Sequence, residues 1–458
     1  MRFDPLDLSA LVLVGAEWLA LGWLSGLGFP GLSPQRNLAS WPASAATWGL
    51  RLLVGGFLVG LAQLSLALVG VSFGFVPGVL LLAGTEALAV RLGVRAIGPV
   101  SCPVEEDAAP PRYAAPEQLG WAVLLVVLAA ALVRSLLVPE SGWDAYSHWG
   151  LRAQAFAEAG TIVNAQSEHE YYPPLVPLLE AWLYLHRGQI SIDFAKTLWA
   201  LVGGGFGLCL AWHVRMSLRP AAAWLAPLVA AGVILVTPQL LDGFWTGQAD
   251  LALTTYLCLA TLAVWHWHRQ RAGDGRWLLQ VAIFAAAAAL TKFEGAPRIA
   301  LLAVALIVEG VIARAIWRQV PALLSLFVPT AAAWFLWTAF QLARGIPANA
   351  EHLGGFQPLA IGGVLLALVG VFAGVRTGGG LAVAVSAWIV SARTLAQPAL
   401  RLLAIVVVVQ AVGTLVAFLV SSTAPEIEVQ TSATRLVEQF LPIALIVGAL
   451  GLARTGHL

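Results

Sequence analysis

The chain is punctuated by apolar runs of about twenty residues, the length a helix needs to cross the hydrocarbon core of a bilayer. Thirteen stand out, at 8–28, 46–68, 71–93, 119–138, 197–217, 221–239, 249–268, 277–291, 296–313, 321–343, 379–393, 400–420 and 437–453. Inside a bilayer each backbone N–H and C=O must be satisfied within the protein, so single runs of this kind fold as helices. Composition agrees: 59% of the 458 residues are hydrophobic and 11% are charged, against roughly 25% charged in a soluble domain. The expected fold class is an all-α polytopic membrane protein with about thirteen transmembrane helices. A further run, 357–376, is apolar but glycine-rich and is assigned to the interface, because counting it as a span breaks the alternation of loops. The N-terminal run to Phe29 has no small-residue cleavage site after a short apolar core and reads as a retained helix. A net charge of +1 gives no sign of a nucleic-acid partner. Cys102, Cys209 and Cys258 form no CxxC pair, which argues against a zinc site or a disulfide framework.

Arginine distribution sets the expected orientation. The short loops 213–220 (Arg215, Arg219), 266–277 (Arg269, Arg271, Arg276) and 314–319 (Arg314, Arg318) are arginine-rich and expected in the cytoplasm. The long loop 139–196 carries Glu140, Asp144, Glu158, Glu168, Glu170, Glu180 and Asp193 against Arg152, Arg187 and Lys196, and is expected outside. Alternation places 240–248, 291–296, 344–356 and 421–436 outside too. Three regions follow: N-terminal membrane helices with a cytoplasmic linker (1–118), a membrane core with the external loop 139–196 (119–343), and C-terminal membrane helices with the external loop 421–436 (344–458).

The unusual polar residues gather on that outer side. Asp144, His148 and Arg152 recur at four-residue spacing, which puts them on one face of a helix. EHEYYPPLVPLLEAWLY (Glu168 to Tyr184) follows, then Asp250 at the mouth of a helix in GQADLAL, then Lys292, Glu294 and Arg298 in LTKFEGAPR, and last Arg435 in TSATRLVEQFLP. The chain has only two lysines, Lys196 and Lys292, against 23 arginines. Ionisable groups at membrane depth are costly and usually face a cavity or a partner. Each residue also has a plainer reading. Asp144 and Asp250 suit helix N-caps, Lys292 and Glu294 a structural ion pair, Arg435 an interfacial anchor, and His148 and Arg152 a solvated face, the favoured reading for His148. Convergence of four separate segments on one face favours a site. The residues alone define a membrane protein with an external polar site.

The same segments resemble the GT-C superfamily of polytopic glycosyltransferases, nearest the branch of protein O-mannosyltransferases and aminoarabinose transferases, over about residues 119–458. WDAYSHWGLRAQAFAEAG is similar to the family's first external loop, HEYYPPLVPLLEAWLY to HPDYPPLLPLLEAW, GQADLAL to GYADLPL, LTKFEG to LTKNEG, and TSATRLVEQFLP to TSLDRLLLQLLP. Two departures stand out: no second acid follows Asp144, and Tyr171 occupies the family's aspartate position before YPP. The resemblance implies a GT-C-like fold and transfer of a sugar from a polyprenyl-phosphate carrier to an acceptor hydroxyl of a glycan, lipid or protein. Asp144 would be the catalytic base, with Asp250 orienting Lys292 or, together with Asp144, holding a divalent cation (Mg or Mn). Lys292, Arg298 and Arg435 would meet the carrier phosphate, and His148, Arg152, His169, Tyr172 and Glu294 the substrates. The setting implied is the plasma (inner) membrane, with the site facing the extracytoplasmic side. A lipid-linked sugar flippase or transporter and a non-catalytic membrane assembly protein are the alternatives. A transporter should show charges near the midplane and related halves.

Overall fold

The computed structural model describes residues 5–24, 41–72, 115–139, 142–165, 169–218, 220–270, 275–346, 357–373, 375–420 and 424–455. The span expected at 71–93, the linker after it, Cys102, Glu140, Glu168, Arg219, Arg271 and most of 344–356 lie outside the described residues. Among those described, the fold is all-helical with no strand. Eight helices are long and apolar enough to cross a bilayer, or up to ten if two bent pairs each count as one span. These counts are of the described residues, which leave out nearly all of the run 71–93.

The helices in chain order are α1 (Pro5–Leu24), α2 (Trp41–Leu68), α3 (Ala115–Leu137), α4 (Leu151–Ala159), α5 (Leu175–Arg187), α6 (Ile192–Ala195), α7 (Thr197–Arg215), α8 (Ala226–Val236), α9 (Pro238–Thr246) and α10 (Ala249–Arg269). After them come α11 (Gly275–Thr291), α12 (Gly295–Ile312), α13 (Val320–Arg344), α14 (Ile361–Phe372), α15 (Val375–Leu395), α16 (Pro398–Leu419), α17 (Pro425–Glu438) and α18 (Leu441–Thr455). The run read as one span at 221–239 is interrupted at Thr237, since a residue before proline is pushed out of the helical region. Thr237 is extended (φ −109, ψ 93), and α9 leaves α8 at 78°. The run 357–376 yields only the 12 residues of α14, too short to span.

Helix α10 is the centre of the bundle. Every residue from Ala249 to Trp267 is buried, and the helix packs on α7, α9, α11, α12 and α16. Outer helices reverse the pattern of a soluble protein: Val126 and Val133 of α3, Val328 and Phe335 of α13, and Ile389 of α15 face outward. Charged groups sit at the helix ends. At one end Arg215 meets Glu117 (2.8 Å), while Arg401 (2.7 Å) and His268 (3.6 Å) meet Glu309. Asp250 opens α10 and His268 lies in its last turn, so a rise of 1.5 Å per residue separates the two ends by about 27 Å.

The described residues of the segment 139–196, expected as an external loop, are largely helical. A π-helical turn, Ala145–Gly150, runs into α4, and α5 is buried from Leu175 to Tyr184 against α1 and α2. Glu17 of α1 accepts from Trp182 (2.9 Å) and pairs with His186 (2.8 Å), and Arg187 pairs with Asp7. The Lys196 ammonium donates to the Val138 carbonyl, tying the start of α7 to the end of α3. Residues 425–436 of the second expected external loop, 421–436, lie in α17, which meets α18 at 47°. Its Glu438 carboxylate accepts from the Gln239 backbone N–H (2.6 Å) at the N-terminus of α9, so the two bends are joined.

Small residues let the first helices close up, as is common where backbones must approach within a membrane. Gly55 of α2 lies against the Trp18 carbonyl and Gly22 of α1 against the Arg51 carbonyl, with no room for a Cβ at either. Gly55→Ala should therefore lower the unfolding temperature in detergent, as overpacking costs about 1–3 kcal/mol. Gly204→Ala, where an added Cβ meets nothing within 4 Å, should leave it unchanged or raise it. Equal effects of the two substitutions would contradict the close α1–α2 crossing.

Candidate functional site

Asp144 stands at the start of the π-helical turn, which is locked by a bond from the Ser147 hydroxyl to the Trp143 carbonyl (2.8 Å). Its carboxylate makes no cap hydrogen bond, so the capping role fails. Instead Oδ2 accepts from Arg435 Nη1 (2.6 Å), and Oδ1 lies 3.8 Å from His148 Nε2. Arg435 Nη2 reaches Ser432 Oγ at 3.4 Å, so α17 delivers the guanidinium to Asp144 instead of anchoring it in the interface. Both partners stay partly open, with the Asp144 side chain 33% and that of Arg435 29% exposed.

Behind this pair lies a second one, almost closed. Asp250, in the first turn of α10, receives two bonds from the Lys292 ammonium, 3.0 Å to Oδ1 and 3.2 Å to Oδ2. Gln439 Nε2 adds a third at 3.2 Å. Asp250 is thus a buried ion-pair partner and not a cap. Glu294 Oε1 stands 3.5 Å from Lys292 and keeps 28% of its side chain exposed, so the Lys292–Glu294 pair is real but secondary. Arg435 lies within the field of Asp144, Asp250 and Glu294 together. The segments carrying Asp144, Asp250, Lys292 and Arg435 therefore meet in one cluster.

Arg298 belongs to the frame of this cluster. Its Nε donates to Gln439 Oε1 (2.9 Å), Nη1 to Thr414 Oγ1 (2.8 Å) and Gln410 Oε1 (3.2 Å), and Nη2 to the Leu436 carbonyl (2.8 Å). With all three nitrogens engaged and only 4% of the residue exposed, it binds α12, α16 and the bend after α17 together. The expectation of a phosphate contact at Arg298 is corrected accordingly: it orients Gln439, which in turn holds Asp250.

An aromatic wall completes the chamber. His169 sits edge-on to His148 (ring centroids 4.4 Å), and its Nδ1 is 2.7 Å from the Tyr171 hydroxyl. Tyr172 stacks on Trp149 at 5.3 Å, and Tyr171 meets Phe293 at 6.0 Å. His169 takes φ 61, a left-handed conformation costing roughly 1–3 kcal/mol in a side chain of this size. Trp337 and Gln341 of α13 both donate to the Tyr171 carbonyl, at 3.0 and 3.1 Å, and hold the turn there. Burial pushes the Tyr171 phenol up to about 12 and that of Tyr172 further, so both remain protonated hydroxyls. His148 and Arg152 are buried, 6% and 2% exposed, which overturns the solvated-face reading. Arg152 donates instead to the Tyr172 carbonyl (2.9 Å). Burial draws the Arg152 guanidinium down to about 10, with Glu170 opposing.

The donor set does not suit a divalent cation. Among the described residues no three carboxylate, histidine or cysteine side chains are grouped to hold one. Asp144 and Asp250 each already face a cation of the protein itself.

A second feature borders the cluster. A cavity of about 410 Å³ opens between α14, α15, α16 and α18, walled by Leu381, Val385, Trp388, Leu415, Phe418 and Leu441. It meets the polar site at Thr414, which accepts from Arg298, and at Phe440, whose ring centroid lies 5.8 Å from the Arg298 guanidinium carbon. A cluster of paired charges thus has an apolar groove next to Arg298, in its frame.

No protein-family model, no curated protein and no solved structure matches the chain. The site therefore rests on its own geometry. Sequence reasoning missed Gln439, Gln410, Thr414 and Trp337. Gln439 was within reach of it, being four residues beyond Arg435 and so on the same helical face.

Proposed function

We propose that the protein is a membrane glycosyltransferase that moves a sugar from a polyprenyl-phosphate carrier to an acceptor hydroxyl. The single observation behind this reading is a half-open Asp144–Arg435 pair, backed by Lys292 and Asp250, with an apolar groove that meets Arg298, in the frame of the same cluster, at Thr414 and Phe440. One ligand with a charged head and a long hydrocarbon tail suits both halves. The order of segments that resembles the GT-C superfamily points the same way and suits a plasma (inner) membrane setting, and the arginine distribution supports an extracytoplasmic site.

In this mechanism the acceptor oxygen attacks the anomeric carbon, and its proton passes to Asp144, a carboxylate acting as general base. The bond from the anomeric carbon to the phosphate oxygen breaks with its electron pair moving to the phosphate, and the configuration inverts. Arg435 and Lys292 offset the charge that develops there, which is electrostatic stabilisation of the leaving group. Arg435, the more exposed of the two, contacts the phosphate, while Lys292, 3% exposed, acts from behind through the field it shares with Asp250 and Glu294. Tyr172 and His169 shape the sugar pocket.

The test is to incubate protein in nanodiscs with a panel of polyprenyl-phosphate sugars and follow release of the free carrier phosphate. Consumption of one donor is expected, with a preference for long over short isoprenoid tails. Movement of intact donor across proteoliposomes without its consumption would instead support a flippase. Tolerance of every substitution at Asp144 and Arg435 would support an assembly protein.

A further inference from the structure

The turn that carries Asp144 has a second face. Trp143 and Tyr146, three residues apart on that turn, stand 70% and 47% exposed, and together with Gln154, Ile190, Ser191 and Asp193 they wall a cleft of about 660 Å³. That volume lies within the range of small-molecule sites. Unlike the groove between α15 and α16, the cleft mixes ring faces with hydrogen-bonding groups.

We infer that this cleft is a saccharide-binding site that presents the acceptor, a neutral glycan, to Asp144. The inference rests on the transfer reading above and names the class of acceptor.

The chemistry of the wall selects the ligand. A pyranose carries C–H bonds on its faces and hydroxyls around its rim. Aromatic rings offer a negative π face to such C–H groups. An amide, a hydroxyl and a carboxylate together supply both donors and acceptors for the rim. The Gln154 amide is oriented by its bond to Glu158 (2.9 Å). Among the described residues no lysine or arginine lines the cleft, and the one charged residue there is Asp193, so an anionic headgroup or a phosphorylated ligand is disfavoured. A lipid tail would waste the polar half of the wall. Trp143 directly precedes Asp144, so a glycan held in the cleft lies on the same helical turn as the carboxylate. The Ser147–Trp143 bond that locks the turn fixes both residues relative to each other.

The full chain in nanodiscs would be tested on an array of neutral mannose, glucose, galactose and arabinose oligosaccharides, with peptides and phosphorylated sugars alongside. Binding of at least one neutral saccharide is expected, weakened tenfold or more by Trp143→Ala and by Gln154→Ala and largely restored by Trp143→Phe. Unfolding temperatures of the variants guard against loss of the fold. Asp144→Asn should bind the saccharide as before. No neutral saccharide bound above empty nanodiscs, a preference for peptides or phosphorylated sugars, or binding indifferent to Trp143→Ala would each overturn the inference. In the last case Trp143 would be an interfacial anchor. Saccharide binding needs no donor, and donor consumption needs no array. Consumption without saccharide binding would refute this site alone, and saccharide binding without consumption would refute the transfer reading alone.

Discussion

Replacing Asp144 with asparagine should slow sugar transfer at least a hundredfold and leave the fold intact. A positioned general base contributes about 10²–10⁴-fold to rate, and the amide keeps the shape of the side chain while removing its basicity. Loss of folding is not expected, because a partly exposed ion pair such as Asp144–Arg435 is worth only about 0–1 kcal/mol. The measurement is the initial rate of donor consumption beside the unfolding temperature of the same sample. A rate within tenfold of the parent protein would remove Asp144 from the mechanism. Should the variant lose rate and melting temperature together, the residue would be structural.

Lys292→Ala should do the opposite and damage the fold first. The ammonium is nearly the whole compensation for the buried Asp250 carboxylate, with Gln439 contributing one bond. Removing one partner of such a pair costs about 3–5 kcal/mol, because the other charge is left buried and alone. Replacing both groups by apolar residues of similar volume is often close to neutral. Lys292→Met combined with Asp250→Leu should therefore unfold at a higher temperature than either single variant, while transfer stays lost in all three. The double-mutant cycle isolates the coupling. Singles no less stable than the double would mean that the two charges are solvated and do not depend on each other.

The helical class of the fold was legible because a bilayer leaves a chain few options: each apolar run had to be a helix. The number of spans was not. Hydropathy averages over a break of one or two residues, so the run 221–239 passes over the break at Thr237, while the helices α9 and α17 fall mostly in stretches read as the external connections 240–248 and 421–436. The segment 139–196 was misjudged for a related reason. Its acids suggested a solvated loop, yet Glu180 is buried beside Trp199, which donates to it at 3.3 Å, and Glu170 is buried as well. Charge counts say where a residue is costly and not whether a partner has been found. At the site, Asp144, Asp250, Lys292 and Arg435 were legible as rare charges beside membrane helices. The partner of Arg152 was not, since it is a backbone carbonyl, that of Tyr172, supplied by a separate segment and without a signature of its own in the sequence.

The seating of α5 on the first two helices gives the N-terminal region a duty that the family likeness does not suggest. Gly60 of α2 lies beneath Leu175 and Leu179, and Glu17 grips the far end through Trp182 and His186. The turn bearing His169, Tyr171 and Tyr172 hangs from the near end of that same rod. A shortened chain starting near residue 119 would keep each reactive group and lose the foundation under them, so the chamber would sag before any chemistry was touched.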